Sequence, residues 1–426
     1  MNVTVEPAGT LRGEIRTPGD KSISHRALLI SALAEGESTI EGLSDGEDVR
    51  GTLEIIRDLG ATVSIVEDHI SVRGLEDGLH PSDRPLECGN SGTTMRLLAG
   101  VLGNVPGEHH LQGDPSLSQR PMDRVAAPLR AMGIDMSGLG PRMLPPLRVT
   151  VPRGEIRSLE YTVPVPSAQV KSAVLFAGLA ANGVTEVAES VRTRANTEEM
   201  LQQAGITVVS EDCGDGRVVQ LHPGRPQPHR WRVPGDPSQA AFFIVLGAIH
   251  ADAAIEVVDL YDGPERLGFL DVLERMGAAI ARHTSPAGVT VRSQSSDLVG
   301  TTVESEEIPS VDEVPILAVA AAAATGTTRF RDVAELRIKE SNRLTGTIEL
   351  LRSLGVTARE EGDDLVVEGA GSASTFHSFE YHAALDHRMV MSAAVAAAAG
   401  RGGVIHGAET VSSSFPSFFD DLASLR

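Results

Sequence analysis

The sequence predicts an α/β protein of two domains, each built from three repeated α/β units. Three observations support this prediction. The chain has 426 residues, which is long enough for two or more domains with cores of their own. A glycine that ends a helix recurs at a nearly constant interval along the chain. The tripeptide Pro-Gly-Asp occurs twice, at 18–20 and at 234–236, about half a chain apart.

The repeat is a helix end with apolar residues four and one positions before a glycine. These two positions share one face of a helix, and the glycine can adopt the left-handed conformation that ends it. The five glycines are Gly60, Gly133, Gly205, Gly277 and Gly355, so the successive intervals are 73, 72, 72 and 78 residues. An alternating, strand-like segment follows most of them, as at 61–66.

A sixth copy of the pattern is incomplete at the C-terminus. Leu422 and Leu425 stand four and one positions before Arg426, and no strand follows. The alternating Val3 and Val5 could supply the missing strand from the other end of the chain. We therefore expect six units of about 71 residues, a period longer than that of usual solenoid repeats. One domain would be continuous, from 20 to 235, and the other would combine 1–19 with 236–426.

Composition excludes several classes of protein. Hydrophobic residues make up 41% of the chain and aromatic residues only 3%, so the core must be aliphatic, with the alanine tracts 318–324 and 393–399 in closely packed helices. A net charge of −21 argues against nucleic acid or an anionic membrane as a partner. The two cysteines, Cys88 and Cys213, have no metal or redox spacing. With no signal peptide or spanning segment recognised, we expect a cytoplasmic protein.

The first candidate site is the segment 18–26, where a strand pattern gives way to a helix. Ser22 or Ser24 is expected to cap this helix. The N-terminus of a helix favours anions, and Lys21, Ser22 and Arg26 add two cations and a hydroxyl there. The segment therefore predicts a phosphate or carboxylate site. The alternative is an ordinary capped helix with solvated charges.

Two loops of the expected continuous domain also carry groups that bind anions. In the segment 87–96, Gly92 would let the backbone approach a ligand, and Asn90 offers a donor. Arg120 precedes Pro121, which restricts its backbone and helps to aim its guanidinium. The alternatives are a tight capped turn for the first loop and a surface arginine for the second.

A third motif opens an apolar helix at 167–181. Ser167 is expected to cap this helix, with Gln169 and Lys171 in its first turn. A lysine opposes the helix dipole at this end, which indicates a nearby anion unless Lys171 extends into water. Arg194, further along, is a weaker candidate of the same kind.

The C-terminal half supplies acids beside cations. Asp312 and Glu313 stand at the head of a very apolar helix, as a poised base or as ordinary partners of the helix dipole. Lys339 and Arg343 are four residues apart and would share a face if the segment were helical, with Glu340 displaced by one position. Two cations beside an acid suit proton transfer next to a bound anion. The alternative is a solvated helix face.

A last motif precedes the final alanine-rich helix. Asp386 could orient His387 or cap the helix, and Arg388 could bind an anion. No second histidine stands at metal-ligand spacing, and neither a P-loop nor a dinucleotide-binding glycine pattern occurs. We therefore expect no metal and no cofactor.

Taken together and in order, these motifs resemble the 5-enolpyruvylshikimate-3-phosphate synthase family along almost the whole chain. The resemblance implies the two-domain enolpyruvyl transferase fold, an inside-out α/β barrel of six βαβαββ-like units, with the active site in a cleft between the domains. It also implies a monomer that transfers the enolpyruvyl group of phosphoenolpyruvate to the 5-hydroxyl of shikimate 3-phosphate, by addition and elimination of phosphate. No cofactor is implied.

The resemblance also assigns roles to individual residues. The residues that it places at shikimate 3-phosphate are Ser22, Arg26, Ser167, Gln169, Arg194, Asp312 and Lys339. Those that it places at phosphoenolpyruvate are Lys21, Asn90, Gly92, Arg120, Arg343 and Arg388, with His387 beside the last. The residues implied to be catalytic are Asp312 as the base, Glu340 and Lys339 as proton carriers, and Lys21.

Two other interpretations remain open at this stage. One is the related transferase that acts on UDP-N-acetylglucosamine, which usually has a cysteine where this chain has 116–120 and a Lys-Asn pair where this chain has Lys21-Ser22. The other is a non-catalytic anion-binding protein on the same fold. The chain also departs from many synthases, because 411–416 lacks a lysine before Phe415-Pro416.

Overall fold

The computed structural model describes residues 1–66, 69–263 and 266–426. The chain forms two compact units. The terminal unit consists of Met1–Pro18 and Pro234–Arg426, and the central unit consists of Gly19–Val233. Both divisions fall within two residues of the positions expected from the Pro-Gly-Asp tripeptides. Gly19 is required there, because a Cβ at this position would lie 1.9 Å from the carbonyl oxygen of Gly42.

Helices and strands alternate along both units. The α-helices of the described residues are α1 (Lys21–Leu33), α2 (Glu47–Asp58), α3 (Gly92–Val101), α4 (Asp123–Ala131), α5 (Ala168–Gly178), α6 (Asn196–Gln203), α7 (Pro237–Ile249), α8 (Gly268–Arg275), α9 (Val314–Ala323), α10 (Arg343–Ser353), α11 (His387–Ala399) and α12 (Phe418–Ser424). Short 3₁₀ helices lie at Leu102–Asn104, Leu117–Gln119, Ser305–Glu307, Ala334–Ile338, Ala373–Thr375 and Ala408–Ser413.

The strands group by unit. Those before the first crossing and in the central unit are β1 (Asn2–Val5), β2 (Leu11–Ile15), β3 (Gly36–Glu41), β4 (Thr62–Val66), β5 (His69–Gly74), β6 (Leu86–Glu87), β7 (Gly107–Gln112), β8 (Asp135–Leu139), β9 (Leu144–Val151), β10 (Glu160–Thr162), β11 (Thr185–Glu189), β12 (Val208–Cys213), β13 (Gly216–Leu221) and β14 (Arg230–Arg232). Those after the second crossing are β15 (Ala253–Leu260), β16 (Ala279–Ser285), β17 (Gly288–Gln294), β18 (Thr302–Val303), β19 (Thr325–Phe330), β20 (Thr357–Glu361), β21 (Asp364–Ala370), β22 (Phe379–His382) and β23 (Gly403–His406).

Each unit contains three small sheets with the same pairing pattern among the described residues. The sheets of the central unit are ordered β14-β3-β5-β4, β6-β7-β9-β8 and β10-β11-β13-β12. Those of the terminal unit are ordered β2-β15-β17-β16, β18-β19-β21-β20 and β22-β23-β1. In every sheet the first two strands are parallel and the later pairs antiparallel. The predicted fold of six repeated α/β units, three in each half, is confirmed.

The sixth sheet is completed from the other end of the chain. Asn2–Val5 pairs antiparallel with Gly403–His406, in the place that a hairpin strand takes in the other sheets. Leu422 and Leu425 are buried, as the truncated pattern predicts. The prediction that the N-terminal strand supplies the missing one is therefore confirmed.

The two crossings exchange a strand between repeats, which the sequence period does not show. Strand β2 immediately precedes α1 of the central unit, yet it pairs with β15 of the terminal unit. Strand β14 immediately precedes α7 of the terminal unit, yet it pairs with β3 of the central unit. At each crossing, the chain adds one strand to the unit that it leaves and then begins the next unit with a helix.

The five glycine caps have the predicted backbone. Their φ angles are positive, between 81° and 101°, and each glycine lies two residues beyond the end of α2, α4, α6, α8 or α10. The helices that come first in each repeat form the core instead. All residues of α7, α9 and α11 are buried, and the alanine tracts lie in α9 and α11, as predicted. None of the helices in the described parts of the chain combines the length and the apolar character that a membrane crossing requires.

Candidate active site

The candidate residues of the central unit lie at the N-terminal ends of α1, α3 and α5. Helix α1 begins at Lys21, and its cap is Asp20, whose carboxylate accepts a hydrogen bond from the backbone N–H of Ile23 at 2.9 Å. The expectation that Ser22 or Ser24 caps this helix is wrong. The carboxylate of Asp20 already reaches the exposed donor, so Ser22 lies inside the first turn and its hydroxyl faces other groups.

Lys21 and Ser22 are held beside charged side chains. The ammonium of Lys21 lies 3.0 Å from a carboxylate oxygen of Asp48, and both side chains are mostly shielded from solvent. The hydroxyl of Ser22 lies 3.5 Å from the guanidinium of Arg194. Two cations and a hydroxyl therefore meet at the positive end of α1, where an anion is favoured.

Arg26 lies one turn further into α1 and is 2% exposed. Its Nε donates to the hydroxyl of Thr197 at 2.6 Å, and one terminal nitrogen donates to the hydroxyl of Ser172 at 2.8 Å. The other terminal nitrogen donates to the carbonyl of Ser22 at 2.8 Å. These contacts orient the guanidinium of Arg26 beside the first turn of α1.

His25 points away from this group and is fully buried. Its Nδ1 lies 2.8 Å from the hydroxyl of Thr52. Burial lowers the pKa of His25 well below its usual value, and the positive charges of Lys21 and Arg26 lower it further. His25 is therefore a neutral packing residue.

Gly92 lies at the start of α3, between two guanidinium groups. A Cβ at this position would lie 2.9 Å from one nitrogen of Arg96 and 3.4 Å from one of Arg120. Arg96 also donates to the amide oxygen of Gln169 at 2.8 Å. The absence of a side chain at Gly92 thus leaves room for a small anion that both arginines and the N-terminus of α3 could reach.

Arg120 is oriented by its neighbours. It is 7% exposed, and one nitrogen donates to the amide oxygen of Asn90 at 2.6 Å and to the hydroxyl of Ser116 at 3.1 Å. The amide nitrogen of Asn90 in turn donates to Asp114 at 2.6 Å. Asn90 therefore aligns Arg120 towards Gly92 and is held in place by Asp114.

Helix α5 joins the two groups of the central unit. Ser167 caps it, accepting from the backbone N–H of Val170 at 3.4 Å, as predicted. Gln169 contacts α3 through Arg96 and through the hydroxyl of Thr93, which accepts from its amide at 3.0 Å. Three residues on, Ser172 contacts Arg26, so Gln169 and Ser172 share a helix face.

Lys171 neither extends into water nor meets an external anion. Its side chain is completely buried, and its ammonium lies 2.8 Å from carboxylate oxygens of both Glu189 and Glu198. It also donates to the carbonyl of Thr193 at 3.3 Å. The expected anion near Lys171 is therefore the protein's own pair of glutamates.

The candidate residues of the terminal unit are centred on Asp312. One oxygen lies 3.1 Å from Arg343 and 3.7 Å from Lys339, and the other lies 3.9 Å from Arg388. The preceding residue, Val311, has a φ of +50°, which is strained for a β-branched side chain. This strained turn places the carboxylate of Asp312 just before α9, among three cations.

Arg343 is the buried hub of this cluster, with 1% of its side chain exposed. It donates to Asp386 through Nε at 2.8 Å and through a terminal nitrogen at 3.2 Å, and it lies 2.5 Å from Glu340. Burial acts to lower the pKa of Arg343, but the charges of Asp386, Glu340 and Asp312 outweigh it, so the pKa is raised above its usual value.

Lys339 and Arg343 would share a face only within one helix, and the segment that joins them is not helical. Asn342 accepts from the backbone N–H of Thr345 at 3.2 Å and caps α10, so that the helix begins at Arg343. Lys339 lies before this cap, after the 3₁₀ helix Ala334–Ile338, and its ammonium contacts Glu335 at 2.5 Å. The two cations meet at Asp312 because the non-helical residues between the 3₁₀ helix and α10 bring them together, and not because of helical spacing.

Helix α11 supplies the last candidates. Asp386 caps it, accepting from the backbone N–H of Arg388 at 3.0 Å, which confirms one of its two expected roles. Arg388 is 5% exposed and donates to the backbone carbonyl of Asp312 at 3.1 Å. His387 is buried at the first position of the helix. Glu313 lies apart from these cations, bound by the hydroxyls of Ser238 and Ser310.

The structure thus forms two polar clusters, one in each unit. Comparison with known proteins identifies the family. The model of the family described as EPSP synthase (3-phosphoshikimate 1-carboxyvinyltransferase) matches residues 5–422.

The chain belongs to the EPSP synthase family.

Individual members of the EPSP synthase family agree with this assignment. The 3-phosphoshikimate 1-carboxyvinyltransferase of Streptococcus uberis is 40% identical over 427 residues, covering 98% of each chain. That of Streptococcus pyogenes serotype M1 is 39% identical over 425 residues, covering 98% of this chain and 97% of its own. The solved EPSP synthase of Acinetobacter baumannii has a TM-score of 0.86 at 34% identity, covering 100% of this chain and 98% of its own. The family predicted from the motifs is therefore confirmed.

A more distant structure shows the fold alone. The enolpyruvyl transferase NikO from Streptomyces tendae has a TM-score of 0.78 at 18% identity, covering 99% of this chain and 96% of its own. The two chains therefore share the α/β enolpyruvyl transferase fold.

Among the polar residues that sequence reasoning on this EPSP synthase family member did not single out are Arg96 and Asp48. Arg96 stands one helical turn after Gly92, a spacing that places both on one face of α3 and that could have found it. For Asp386 the sequence predicts a helix cap or a partner of His387, but not the ion pair with Arg343. Asp48, which pairs with Lys21, gives no local signal, because it comes from another helix.

Proposed function

We propose that this chain catalyses the 3-phosphoshikimate 1-carboxyvinyltransferase reaction. The enolpyruvyl group of phosphoenolpyruvate would be transferred to the 5-hydroxyl of shikimate 3-phosphate, with release of phosphate, in the shikimate pathway of aromatic amino-acid biosynthesis. The observation that carries this proposal is the family match from residue 5 to residue 422. The two polar clusters support it, because the reaction needs both anion-binding and proton-transfer groups.

In this proposal the central unit binds most of the substrates' charge. Each substrate carries a phosphate and a carboxylate, roughly −2.5 to −3 in total near neutral pH. Phosphoenolpyruvate would lie beside Gly92, where Arg120 and the N-terminus of α3 offer donors, with Lys21 and Asn90 alongside. The residues proposed to hold shikimate 3-phosphate in this unit are Ser22, Arg26, Ser167, Gln169 and Arg194.

The terminal unit supplies the proposed chemistry. Asp312 would remove the proton of the 5-hydroxyl, since its side chain is 18% exposed and therefore within reach of a substrate. Glu340 and Lys339 would deliver and remove protons at the methylene carbon, first forming a tetrahedral ketal and then allowing phosphate to leave, with Lys21 assisting from the central unit. The cations proposed to bind phosphoenolpyruvate here are Arg343 and Arg388, with His387 beside them.

We further propose that the two clusters belong to one active site between two domains, 20–235 and 1–19 with 236–426. Closure of these domains on the substrates would exclude water and align the reacting groups. Small-angle X-ray scattering tests this directly. The radius of gyration should fall when both ligands are added, and an unchanged value would contradict a shared, closing site.

The test of the activity is phosphate release from phosphoenolpyruvate that depends on shikimate 3-phosphate. Asp312→Ala should fold normally but lose about two to four orders of magnitude in kcat, the usual contribution of a general base. Glu306→Ala, which removes an exposed acid from the same unit, serves as the control and should keep wild-type turnover.

Two outcomes would redirect the proposal. Phosphate release that depends on UDP-N-acetylglucosamine would identify the related transferase instead. Ligand binding without any phosphate release would identify a non-catalytic anion-binding protein. Near-normal turnover of Asp312→Ala would reject its role as the base while leaving the overall activity intact.

The remaining properties are proposed as well. We propose a cytoplasmic monomer that binds these small molecules and neither nucleic acid nor membrane, as its strong negative charge favours. Light scattering coupled to size-exclusion chromatography should give the mass of a single chain, and twice that mass would contradict the monomer.

A further inference from the structure

Away from the polar cluster around Asp312, the terminal unit carries metal-ligating side chains on the sheet β22-β23-β1. Glu380, His382 and His406 bring one carboxylate oxygen and two imidazole nitrogens within 4.8 Å of one another. In the parallel pairing of β22 with β23, His382 lies opposite His406. Glu380 lies two residues before His382 and therefore on the same face of the sheet.

Both ring nitrogens of His406 face acceptors. Its Nδ1 lies 2.9 Å from the amide oxygen of Asn2 on β1, and its Nε2 lies 2.6 Å from a carboxylate oxygen of Glu380. A neutral imidazole has only one N–H to donate. If Nδ1 donates it to Asn2, the lone pair of Nε2 faces Glu380 and is the one available to a metal ion.

His382 supplies the third ligand atom. Its ring stacks on that of His406 at a centroid distance of 4.1 Å and an angle of 8°, so one of the two rings must turn before both nitrogens face a shared ion. Zinc with bonds of about 2.0–2.1 Å in a tetrahedral site spaces its ligand atoms about 3.4 Å apart. The three ligand atoms, which lie within 4.8 Å of one another, would therefore need to approach by about 1.4 Å at most. Glu380 is largely exposed, which leaves a path for the ion.

We propose that Glu380, His382 and His406 form a surface site for Zn²⁺ or a similar divalent transition-metal ion. The metal would lie between Nε2 of His406 and the carboxylate of Glu380. Two imidazoles and a carboxylate suit zinc, with water as the fourth ligand. Asn2 fixes the His406 ring through its other nitrogen, as outer-shell partners of metal-bound histidines do.

The sequence contains no recognised metal-binding motif, and this site explains how ligands can still meet. Its ligands come from two neighbouring strands, and the residue that orients His406 comes from the N-terminal strand. Linear spacing therefore does not reveal it. A bound ion would link β22 and β23 and, through Asn2, strengthen the attachment of β1, the strand that completes the sixth sheet.

Isothermal titration of the full-length, metal-free chain with ZnCl₂ tests the proposal without any enzymatic readout. We expect one zinc ion per chain, with a dissociation constant in the micromolar range. His382→Ala and His406→Ala should each weaken binding at least tenfold. Zinc should raise the melting temperature of the wild type but not that of His382→Ala.

The matched control is His110→Ala on β7. His110 also has a glutamate two residues before it, and its Nε2 lies 3.1 Å from Glu108. Across the strand pair, however, it faces Arg148 and not a second histidine. His110→Ala should bind zinc as tightly as the wild type. The proposal is overturned if the wild type binds no zinc at millimolar concentration, or if His382→Ala and His406→Ala bind it as the wild type does.

Discussion

The substitution Asp386→Asn tests the buried ion network of the terminal unit. Asp386 is completely buried and accepts four hydrogen bonds: two from Arg343 at 2.8 and 3.2 Å, one from Ser341 at 3.0 Å and one from the backbone N–H of Arg388 at 3.0 Å. Asparagine keeps the volume and one acceptor for the cap of α11. It removes the charge and turns an N–H₂ group towards the Nε–H of Arg343 and the hydroxyl of Ser341.

The expected loss of stability depends on the carboxylate partners that Arg343 retains in the variant. Breaking a buried ion pair by removing one partner costs about 3–5 kcal/mol. Arg343 still has Asp312 at 3.1 Å and Glu340 at 2.5 Å, so its charge is not left alone. The lower end, about 3 kcal/mol, is therefore expected. Since about 1.4 kcal/mol corresponds to a factor of ten, opening of this region should become about 100-fold more frequent.

Amide hydrogen exchange followed by mass spectrometry measures this locally. Peptides from α10 and α11 should lose about 100-fold in protection at neutral pH. Asp252→Asn, in the same unit, is the control, because Asp252 is exposed and pairs with Arg12 at the surface. It should leave protection of α10 and α11 unchanged. Wild-type protection in Asp386→Asn, or an equal loss in the control, would refute the reasoning.

Three further predictions concern the central unit. Gly92→Ala should raise the KM for phosphoenolpyruvate about tenfold in steady-state kinetics, because the new methyl group displaces Arg96 and crowds Arg120; an unchanged KM would contradict the proposed position of this substrate. Lys171→Met should lower stability by about 3–5 kcal/mol, because two buried glutamates lose their cation, and the fluorescence of Trp231, the single tryptophan of the chain, should report a lower urea midpoint. His25 has a pKa well below its usual 6.5, so the unfolded chain takes up a proton that the folded chain does not. Stability should therefore fall as the pH drops below about 6.5, by up to about 1.4 kcal/mol per pH unit, and His25→Asn should flatten that part of the curve.

Specific results would contradict the predictions for Lys171 and His25. A Lys171→Met chain that keeps the wild-type urea midpoint would show that the glutamate pair is satisfied without the lysine. A His25→Asn chain with the same acid slope as the wild type would assign the pH dependence to other groups.

Much of the candidate site could be predicted because its residues stand in short motifs at helix starts. Ser167 caps α5 and Asp386 caps α11 as their sequences indicate, since a cap depends on residues within three positions. The start of α1 was predicted less well, because Asp20, Ser22 and Ser24 can all act as caps. Only the backbone at Asp20 selects among them.

The sequence alone determined the repeat, its glycine caps and the completion of the last sheet by the N-terminal strand, because these features depend on local backbone preferences and on periodicity. Tertiary structure decided which charges meet. Glu189 and Glu198 neutralise Lys171, and Asp312 gathers Arg343 and Arg388, although these residues lie far apart along the chain. Charge interactions depend on the distance between the groups in space and on their burial, and the spacing of residues along the sequence gives neither quantity.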